Sequence, residues 1–402
     1  MTPRSIWTRS TKPASKAVRA RVDTPLSAID AREWDALRDD DDPFTSYAYL
    51  SALEDSGQIG PEAHWVPHHV TVRDAQDGLI GAMPLYAKDD SWGEFVFDFA
   101  WANAFNQAGG RYYPKLVTAV PYTPVGGRRL LISATADYGA TANALIDATL
   151  DFTRAMEASS WHVQFCHPDE HKRLGDAGLL LRSDCQFHWF NDSYSDFDDY
   201  LTVFRSSRRK KTRRERRRMD EQGIRFTTRA GSELDQAAWQ EFYGFYASSF
   251  LVRGRDPYFT SDLFVVLGQR LGDQMMIKTA LRDDRPVAAA LFFHNDRRLY
   301  GRYWGCTEFV DALHFETCYY QGIDYCIEHG LQQFDPGTQG EHKIARGFRA
   351  HESYSAHYLV DQNFRRAVAD YLRREGDGVK LYMDSVDAHL PFRRGADDPG
   401  EA

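Results

Sequence analysis

The sequence predicts a mixed α/β fold made of two similar domains in tandem. Residues 275–304 hold three apolar or aromatic runs joined by short polar turns, and joints this short allow only antiparallel neighbours. From Phe315 to Leu331 apolar residues recur every three or four positions, which indicates a helix, and Phe334 then begins a short strand. A hairpin over residues 69–86 repeats the strand, turn, strand order, although two hairpins can also resemble each other by chance.

Length and composition limit the class of protein. The chain has 402 residues, too many for one typical core, and no apolar run approaches the ~20 residues that span a bilayer. The first residues are basic and lack the apolar centre of a signal peptide, so a disordered arm is expected, with a transit peptide as the alternative. The five cysteines form no CxxC pair and the histidines show no metal-ligand spacing. We therefore expect a cytoplasmic protein without a metal site or a membrane span.

These patterns divide the chain into five parts, while the oligomeric state is not indicated. The expected parts are a disordered basic arm over 1–24, a first domain over 25–192, a basic linking helix over 193–222, a second domain over 223–392 and a disordered tail over 393–402.

The charge is concentrated in one segment. The net charge is −9, yet residues 205–218 hold ten Lys or Arg against the single Glu215. Arg and Lys favour a helix, and we expect one over about residues 197–221. It can bind the phosphates of RNA or another polyanion, or it can be a solvated helix that pairs with the acidic remainder. The polyanion-binding candidates are Arg208, Lys211, Arg214 and Arg218.

The segment over residues 101–124 is rich in Trp, Tyr, Asn, Gly and Pro. Such a composition favours a long, partly irregular segment that lines a cleft, with an aromatic core as the alternative. We take Tyr112 and Lys115 from it as substrate-binding candidates.

Several longer motifs carry a resemblance to a known family. The chain resembles the Fem-type peptidoglycan aminoacyltransferases, and more closely a group of predicted N-acyltransferases named for peptidoglycan biosynthesis or recognition. The resemblance covers roughly residues 25 to 392 and implies two GNAT-like domains in tandem, with mixed sheets flanked by helices. The motifs that carry it are PLYAK at 84–88, GEFVFD at 93–98, YYPKL at 112–116, GRYWG at 301–305, HFETCYY at 314–320 and FDPGTQGEHK at 334–343.

One departure from the wider GNAT group concerns the donor. Acetyl-CoA-dependent members carry a glycine-containing motif between the last meander strand and the next helix, where backbone N–H groups hold the pyrophosphate. Residues 305–314 here have no glycine pair and include Glu308 and Asp311. The resemblance therefore implies aminoacyl-tRNA, or an acyl-CoA or acyl-carrier protein bound in another way, as donor and partner. No tightly bound cofactor is expected.

The implied chemistry is attack of an amine on an ester or thioester carbonyl, which needs a base and a group that supports the oxyanion or leaving group. Glu316 and His314 are rival bases, and Tyr303 is the candidate for the leaving group or oxyanion. Each also has an ordinary structural explanation, such as a helix-end charge or core packing. The substrate-binding candidates in this half are Asp335, Thr338, Gln339, His342, Lys343 and Tyr320.

The sequence thus predicts an N-acyltransferase that moves an acyl or aminoacyl group to an amine, with a peptidoglycan precursor as the candidate acceptor. The first alternative is an acyltransferase that uses acyl-CoA or acyl-carrier protein and modifies a small amine. The second is a non-catalytic module that binds RNA or a cell-wall precursor.

Overall fold

The structure is a computed structural model that describes residues 9–10, 18–22, 25–38, 42–338 and 340–393. Gln339, a predicted substrate-binding residue, lies outside the described residues, as do most of the predicted arm and residues 394–402 of the tail.

Strands and helices alternate along most of the chain. The strands are β1 Arg9–Ser10, β2 Arg19–Val22, β3 Val66–Pro67, β4 Val70–Arg73, β5 Leu79–Met83, β6 Tyr86–Lys88, β7 Lys115–Thr118, β8 Leu131–Ile132, β9 Ser160–Val163, β10 Leu180–Phe190, β11 Ile224–Ala230, β12 Met275–Arg282, β13 Arg285–His294, β14 Arg298–Cys306, β15 Gln333–Asp335 and β16 Arg349–Leu359. The helices are α1 Ala31–Asp35, α2 Tyr47–Asp55, α3 Phe99–Gln107, α4 Tyr138–Ala155, α5 Pro168–Asp176, α6 Phe197–Thr202, α7 Ser206–Glu221, α8 Gln236–Leu251, α9 Ser261–Leu271, α10 Leu313–Phe315, α11 Gln321–Glu328 and α12 Gln362–His389. Within the described ranges, no helix combines the length and apolarity needed to cross a membrane.

The chain folds into two units that differ from the predicted division. The first unit contains the described residues up to Asp184 together with Ser353–Val379, and the second contains Cys185–Glu352 and the described residues from Lys380 onward. Residues 353–379 therefore belong to the first unit, not to the second as predicted. Tertiary pairing is the reason, because β16 forms a ladder with β9 through Ala356 to Leu359, and Val368 of α12 packs in the first unit's core.

Two sheets form the first unit. One has the order β1-β2-β4-β5-β8, and α4 packs on it with Leu145 and Ile146. The other places β3, β6, β7, β9 and β16 side by side, with β7 and β9 parallel. The predicted disordered arm is wrong at its end, because Arg19–Val22 forms β2 against β4 and buries Ala20 opposite Val72.

The predicted irregular segment over residues 101–124 is more regular than expected. Its beginning lies in helix α3, and Lys115–Thr118 forms the central strand β7 between β6 and β9. Lys115 is therefore a buried strand residue, which its charge does not suggest.

The second unit contains the predicted meander and its continuation. Its strands follow the order β11-β12-β13-β14-β15-β10, with the meander β12, β13 and β14 antiparallel and β15 parallel to β14. Helix α8 approaches β14 so closely that a Cβ on Gly305 would lie 1.7 Å from the carbonyl oxygen of Phe245. Only glycine allows this backbone contact.

The basic segment is not one continuous helix. It is divided into α6 and α7, because residues 203–205 leave the helix and Phe204 forms a bridge with Phe392. Helix α7 is also less uniformly solvated than expected, since Thr212 and Met219 are buried and Met219 packs beside Ile224.

Candidate active site

The parallel strands β14 and β15 of the second unit diverge at the candidate site. Strand β14 pairs with β15 only from Arg298 to Tyr300, although β14 continues to Cys306. The described residues 301–306 thus extend beyond the pairing of β14 with β15, so the two strands diverge at this point. A bulge between β13 and β14 leaves Arg302 as an extra residue at the same place. Bulges of this kind change the direction of side chains and occur often beside active sites.

The helix after β14 begins with an unusual turn. Residues Glu316–Tyr320 are π-helical, between the short α10 and the regular α11. A π-turn is rare and is found disproportionately at functional sites. The predicted catalytic or binding residues His314, Glu316 and Tyr320 all lie in or beside this turn.

One group of aromatic side chains surrounds His314. Its ring lies 5.2 Å from that of Trp304, 5.3 Å from Tyr319 and 5.9 Å from His342, measured between centroids. Burial lowers the pKa of His314 to about 4, and the nearby His342 and Arg346 act in the same direction. His314 is therefore neutral at physiological pH.

His342 is the exposed member of this group. Its Nε2 lies 2.8 Å from the hydroxyl oxygen of Tyr319, within hydrogen-bond distance. Partial burial lowers the pKa of His342, and the cations Lys343 and Arg346 lower it further. The exposed ring therefore loses its proton at a lower pH than an ordinary histidine does. A neutral, accessible imidazole beside the π-turn is a candidate general base.

The glycine-rich loop is held by a buried lysine and a buried aspartate. Lys343 donates its ammonium hydrogen to the carbonyl oxygen of Gly337, and Asp335 Oδ1 accepts from the Gly337 N–H at 2.8 Å. Burial lowers the pKa of Lys343 to about 8 and raises that of Asp335. The remaining oxygen of Asp335, Oδ2, has no hydrogen-bond partner within the described part of the chain. Thr338, half-buried, follows in the same loop.

Glu316 lies in the interior, on a different side of the π-turn. Its Oε1 accepts from Gln321 at 2.7 Å and lies 3.2 Å from Nη2 of Arg216, which also contacts Asp324. Burial raises the pKa of Glu316, and Arg216 opposes this increase. The structure thus places Glu316 in an ion pair with the basic helix, which the sequence did not indicate.

Tyr303 packs in a different aromatic group from His314 and His342. Its ring packs against Tyr246, Phe259 and Phe264 of the second unit, with centroid distances of 4.9, 5.8 and 6.2 Å. Burial raises the pKa of its hydroxyl. The three predicted catalytic residues therefore belong to three different groups of contacts.

Tyr320 lines a cavity with part of the basic helix. This small cavity opens to solvent and is lined by side chains from α7, the π-turn and the 3-10 helix Glu341–Arg346, namely Arg208, Lys211, Thr212, Glu215, Tyr320, Ala345 and Arg346. The Tyr320 hydroxyl donates to Glu215 Oε2 at 2.5 Å, and Arg346 Nη2 donates to the same oxygen at 2.9 Å. Glu215, Arg346 and Tyr319 were not among the predicted site residues. Tyr319 lies within the HFETCYY motif and Arg346 lies close to the FDPGTQGEHK motif, so the motifs indicate the place of both.

The other predicted polyanion-binding residues differ in their surroundings. Arg218 pairs with Asp311, and Lys211 lies 4.0 Å from Glu215, whereas Arg208 and Arg214 have no carboxylate partner among the described residues. Arg214 does not line the cavity.

The two candidates of the first unit are buried in a charge network. Lys115 Nζ lies 2.9 Å from Glu94 Oε1, 2.5 Å from Asp98 Oδ2 and 2.9 Å from the hydroxyl oxygen of Ser91. Tyr112 donates its hydroxyl hydrogen to Asp98 at 2.7 Å. Lys115 and Tyr112 have almost no solvent exposure in the structure, so neither presents its polar end at the surface.

No group of three or more His, Cys, Asp or Glu residues able to hold a metal ion exists in the described ranges.

A family profile described as peptidoglycan biosynthesis/recognition matches residues 25–394. The chain belongs to the FemAB-like family. This match confirms the resemblance predicted from the motifs, since its predicted extent, roughly residues 25 to 392, is nearly the same. No protein among the curated ones matches the chain.

Solved structures show the fold of this FemAB-like protein. The crystal structure of FemX aligns with a TM-score of 0.53 at 12% identity, over 85% of this chain and 98% of that chain. The C-terminal domain of a putative lysylphosphatidylglycerol synthetase from Agrobacterium fabrum aligns with a TM-score of 0.52 at 11% identity, over 86% of this chain and 96% of that one. A tandem GNAT protein from the clavulanic acid biosynthesis pathway has a TM-score of 0.41 at 10% identity, over 77% of this chain and 87% of that one. The predicted mixed α/β, tandem GNAT-like fold is confirmed.

Proposed function

We propose that this FemAB-like protein is an N-acyltransferase that moves an acyl or aminoacyl group from an activated ester or thioester to an amine. The observation that carries the proposal is the divergence of β14 and β15 beside the π-turn Glu316–Tyr320. Family membership supports a substrate related to peptidoglycan. The alternative acceptor is a small amine unrelated to the cell wall.

The divergence of β14 and β15 suits an extended donor. Strand β14 continues beyond its pairing with β15, and the space between two diverging strands can take an extended chain that carries amides. A pantetheine arm or an aminoacyl ester with its flanking groups fits this description. Positioning the carbonyl there, next to the base, removes much of the entropic cost of the reaction.

His342 is our candidate for the general base. In the tautomer whose Nε2–H donates to Tyr319, the Nδ1 atom is unprotonated and can take the proton of the attacking amine. The amine nitrogen forms the new bond to the carbonyl carbon, and the ester or thioester bond breaks when the tetrahedral intermediate collapses. The proton that His342 took from the amine then passes to the leaving alcohol or thiol, so the atoms and charges balance.

Two features separate His342 from Glu316, the base that the sequence suggested first: its exposure and, among the described residues, the absence of an ion pair like the one that Arg216 forms with Glu316. His342 is exposed, whereas Glu316 is buried and its carboxylate is bound by Arg216. An ion pair with Arg216 reduces the tendency of Glu316 to accept a proton. Glu316 and His314 stay predictions for the base, and Tyr303 for the group that assists the leaving group.

Two kinds of donor remain to be compared, an aminoacyl-tRNA and a thioester. Aminoacyl-tRNA suits the carboxylate-free Arg208 and Arg214 of α7, because phosphates bind to such cations. A thioester of CoA or of a carrier protein suits the strand edge but not residues 305–314, where a glycine motif is missing. We propose the aminoacyl ester as the first donor to test.

The test is acyl transfer by the whole protein to amine acceptors, with labelled aminoacyl-tRNAs and acyl-CoAs offered in parallel. We expect transfer from at least one donor, and His342→Gln lowers kcat by roughly 10²-fold or more. His329→Gln is the matched control, because His329 is exposed at the end of α11 in the same unit. Full turnover by His342→Gln, with Glu316→Gln inactive but folded, would return the role to Glu316.

A further inference from the structure

Two buried histidines lie opposite each other in the ladder that holds β16 in the first unit. This ladder pairs residues 356–359 of β16 with residues 160–163 of β9, and His357 is the direct partner of His162 within it. Each of the two residues is 1% exposed. Their ring centroids lie 5.0 Å apart, and their Nδ1 atoms are separated by 2.7 Å. Cross-strand pairs of this kind stabilise a ladder, and this ladder is only four pairs long.

The short distance between the two Nδ1 atoms limits the number of protons on the pair. A ring nitrogen of histidine either donates or accepts a hydrogen bond, so a contact at 2.7 Å needs a proton on one Nδ1 and a lone pair on the other. Two charged rings would direct two N–H groups and two positive charges at each other. The observed arrangement of His162 and His357 therefore requires one shared proton.

Neighbouring groups indicate which histidine donates that proton. Nε2 of His162 lies 2.8 Å from the hydroxyl oxygen of Ser160 and 3.7 Å from Oδ2 of Asp98, and both oxygens can accept from an N–H there. Nε2 of His357 has no hydrogen-bond partner among the described residues, and a buried N–H without an acceptor is costly. His162 is therefore protonated at Nε2 and accepts at Nδ1, whereas His357 donates from Nδ1.

The surroundings of the pair oppose a second proton. Burial lowers the pKa of His162 to about 3, Lys115 contributes to the decrease, and Asp98 opposes it. Burial also lowers the pKa of His357, and His162 and Arg182 contribute in the same direction. The charged and titratable groups around the two rings come from several elements of the first unit, namely Lys115 of β7, Asp98 and Tyr112 on either side of α3, His171 of α5, Arg182 of β10 and Glu375 of α12, which pairs with Arg182.

We propose that the His162–His357 pair is an acid-sensitive latch, which holds β16 on β9 with one shared proton and opens when a second proton binds. The second proton gives both rings a positive charge in the interior of the first unit. It also occupies the Nδ1 lone pair of His162, so the hydrogen bond between the rings is lost. Residues 356–359 then separate from β9. The latch belongs to the first unit and does not depend on the proposed function.

The latch should weaken as the pH falls below the ordinary pKa of histidine. A histidine whose folded-state pKa is lowered gives stability that is complete above its unfolded pKa of about 6.5 and is lost as the pH falls toward the folded value. For one such histidine, the equilibrium constant for opening rises by roughly 20- to 30-fold between pH 7 and pH 5. The ladder should therefore open more often in acid.

The experiment is hydrogen exchange of the full chain at pH 7 and pH 5, followed by mass spectrometry of peptides that contain residues 160–163 and 356–359. Protection, corrected for the intrinsic exchange rate at each pH, reports the opening of the ladder. His357→Asn keeps a polar group near the position of Nδ1 but does not titrate. Between pH 7 and pH 5, we expect the wild type to lose protection by roughly 20-fold more than His357→Asn does.

The matched control is His64→Asn, because His64 is an exposed histidine of the same unit. This variant should change the pH dependence of protection by less than about threefold. A general loss of stability in His357→Asn acts at both pH values and cancels in the comparison. Equal pH dependence in His357→Asn and the wild type would overturn the latch.

A second measurement needs no variant. In the wild type with nitrogen-15 in its histidines, magnetic resonance at pH 7 should detect a scalar coupling between the two Nδ1 atoms through the shared proton. We expect this coupling to disappear at the acidic pH at which residues 356–359 lose protection. No coupling at pH 7, or a coupling that persists after the ladder has opened, would contradict the shared proton as the cause.

Discussion

The two units of this FemAB-like protein use buried charge in opposite ways. In the first unit, Lys115 is enclosed with Glu94 and Asp98, and all three are almost completely buried. In the second unit, the cations Arg208 and Lys211 border a small cavity that opens to solvent. Both were predicted as binding residues, Lys115 from an aromatic-rich segment and Arg208 and Lys211 from a run of basic residues.

The difference shows what decides whether a charged residue can bind a ligand. Lys115 already has two carboxylates and a hydroxyl as partners, so its hydrogen bonds are satisfied inside the protein. Arg346 has one guanidinium nitrogen left over, and Arg208 has no carboxylate among the described residues. Unsatisfied hydrogen-bonding capacity, not charge alone, indicates a site.

The largest change in stability is expected when the central cation of the first unit is removed. Lys115→Met leaves Glu94 and Asp98 buried without their partner, and we expect a loss of about 3–5 kcal/mol in the free energy of unfolding. Urea denaturation measures it. Lys172→Met, at an exposed residue of α5, is the control and should change the free energy by less than about 0.5 kcal/mol. Equal, small effects would show that the network does not stabilise the unit.

A second substitution tests the close packing of α8 against β14 in the second unit. Gly305→Ala places a Cβ 1.7 Å from the Phe245 carbonyl oxygen, which is part of the backbone and cannot rotate away. We expect a loss of about 3 kcal/mol in the free energy of unfolding, measured by thermal or urea denaturation.

The control for this prediction lies in the same helix, α8. Gly244 is exposed and a Cβ there meets no atom within 4 Å, so Gly244→Ala should stabilise the protein by about 0.5–1 kcal/mol. If both alanine variants were equally stable, the close approach of α8 to β14 would be wrong.

The buried Glu94 of the first unit should make the stability of the protein depend on pH. Burial raises the pKa of Glu94 from 4.5 to about 7, while Lys115 opposes the increase. A raised folded-state pKa gives stability that is complete below the unfolded pKa and is lost as the pH rises through the folded one. Glu94 therefore contributes more at pH 5 than at pH 8.

The measurement is the free energy of unfolding of Glu94→Gln and of the wild type at both pH values. Relative to the wild type, we expect Glu94→Gln to gain on the order of 1–3 kcal/mol between pH 5 and pH 8. Glu62→Gln, at an exposed position, should follow the wild type. A constant difference between Glu94→Gln and the wild type would contradict the raised pKa.

The smallest effect is expected for the exposed ion pairs of α7. Arg213 lies 2.8 Å from Asp198, and both side chains are more than half exposed. Arg213→Gln should cost less than about 1 kcal/mol in the free energy of unfolding, and the cost should decrease with added salt. A large, salt-independent loss would mean that the basic helix is part of the core, unlike the exposed surface described above.

Much of the second unit was predictable from local patterns. The meander, its turns and the following helix depend on apolar spacing and turn residues within a few positions, and both appear in the structure at nearly the expected places. The long motifs also identified the family, since the profile covers residues 25–394.

The candidate site was less predictable, because its contacts join residues distant in the sequence. Arg216 reaches Glu316, and Glu215 reaches both Tyr320 and Arg346, across about one hundred positions or more. The π-turn is also invisible in the apolar spacing, which predicts a continuous α-helix. The structure nevertheless brings some named candidates together, since His314 lies beside His342 and Tyr320 lines the same cavity as Arg208 and Lys211.

The sequence alone thus determined the fold class, the family and the concentration of positive charge, because each is a property of composition or local order. The tertiary structure decided which charges are enclosed and which remain available. Lys115 became a core residue when Lys115–Thr118 was placed between two strands, and residues 353–379 joined the first unit through β16. Burial and partner satisfaction depend on distant segments, so no local pattern could show them.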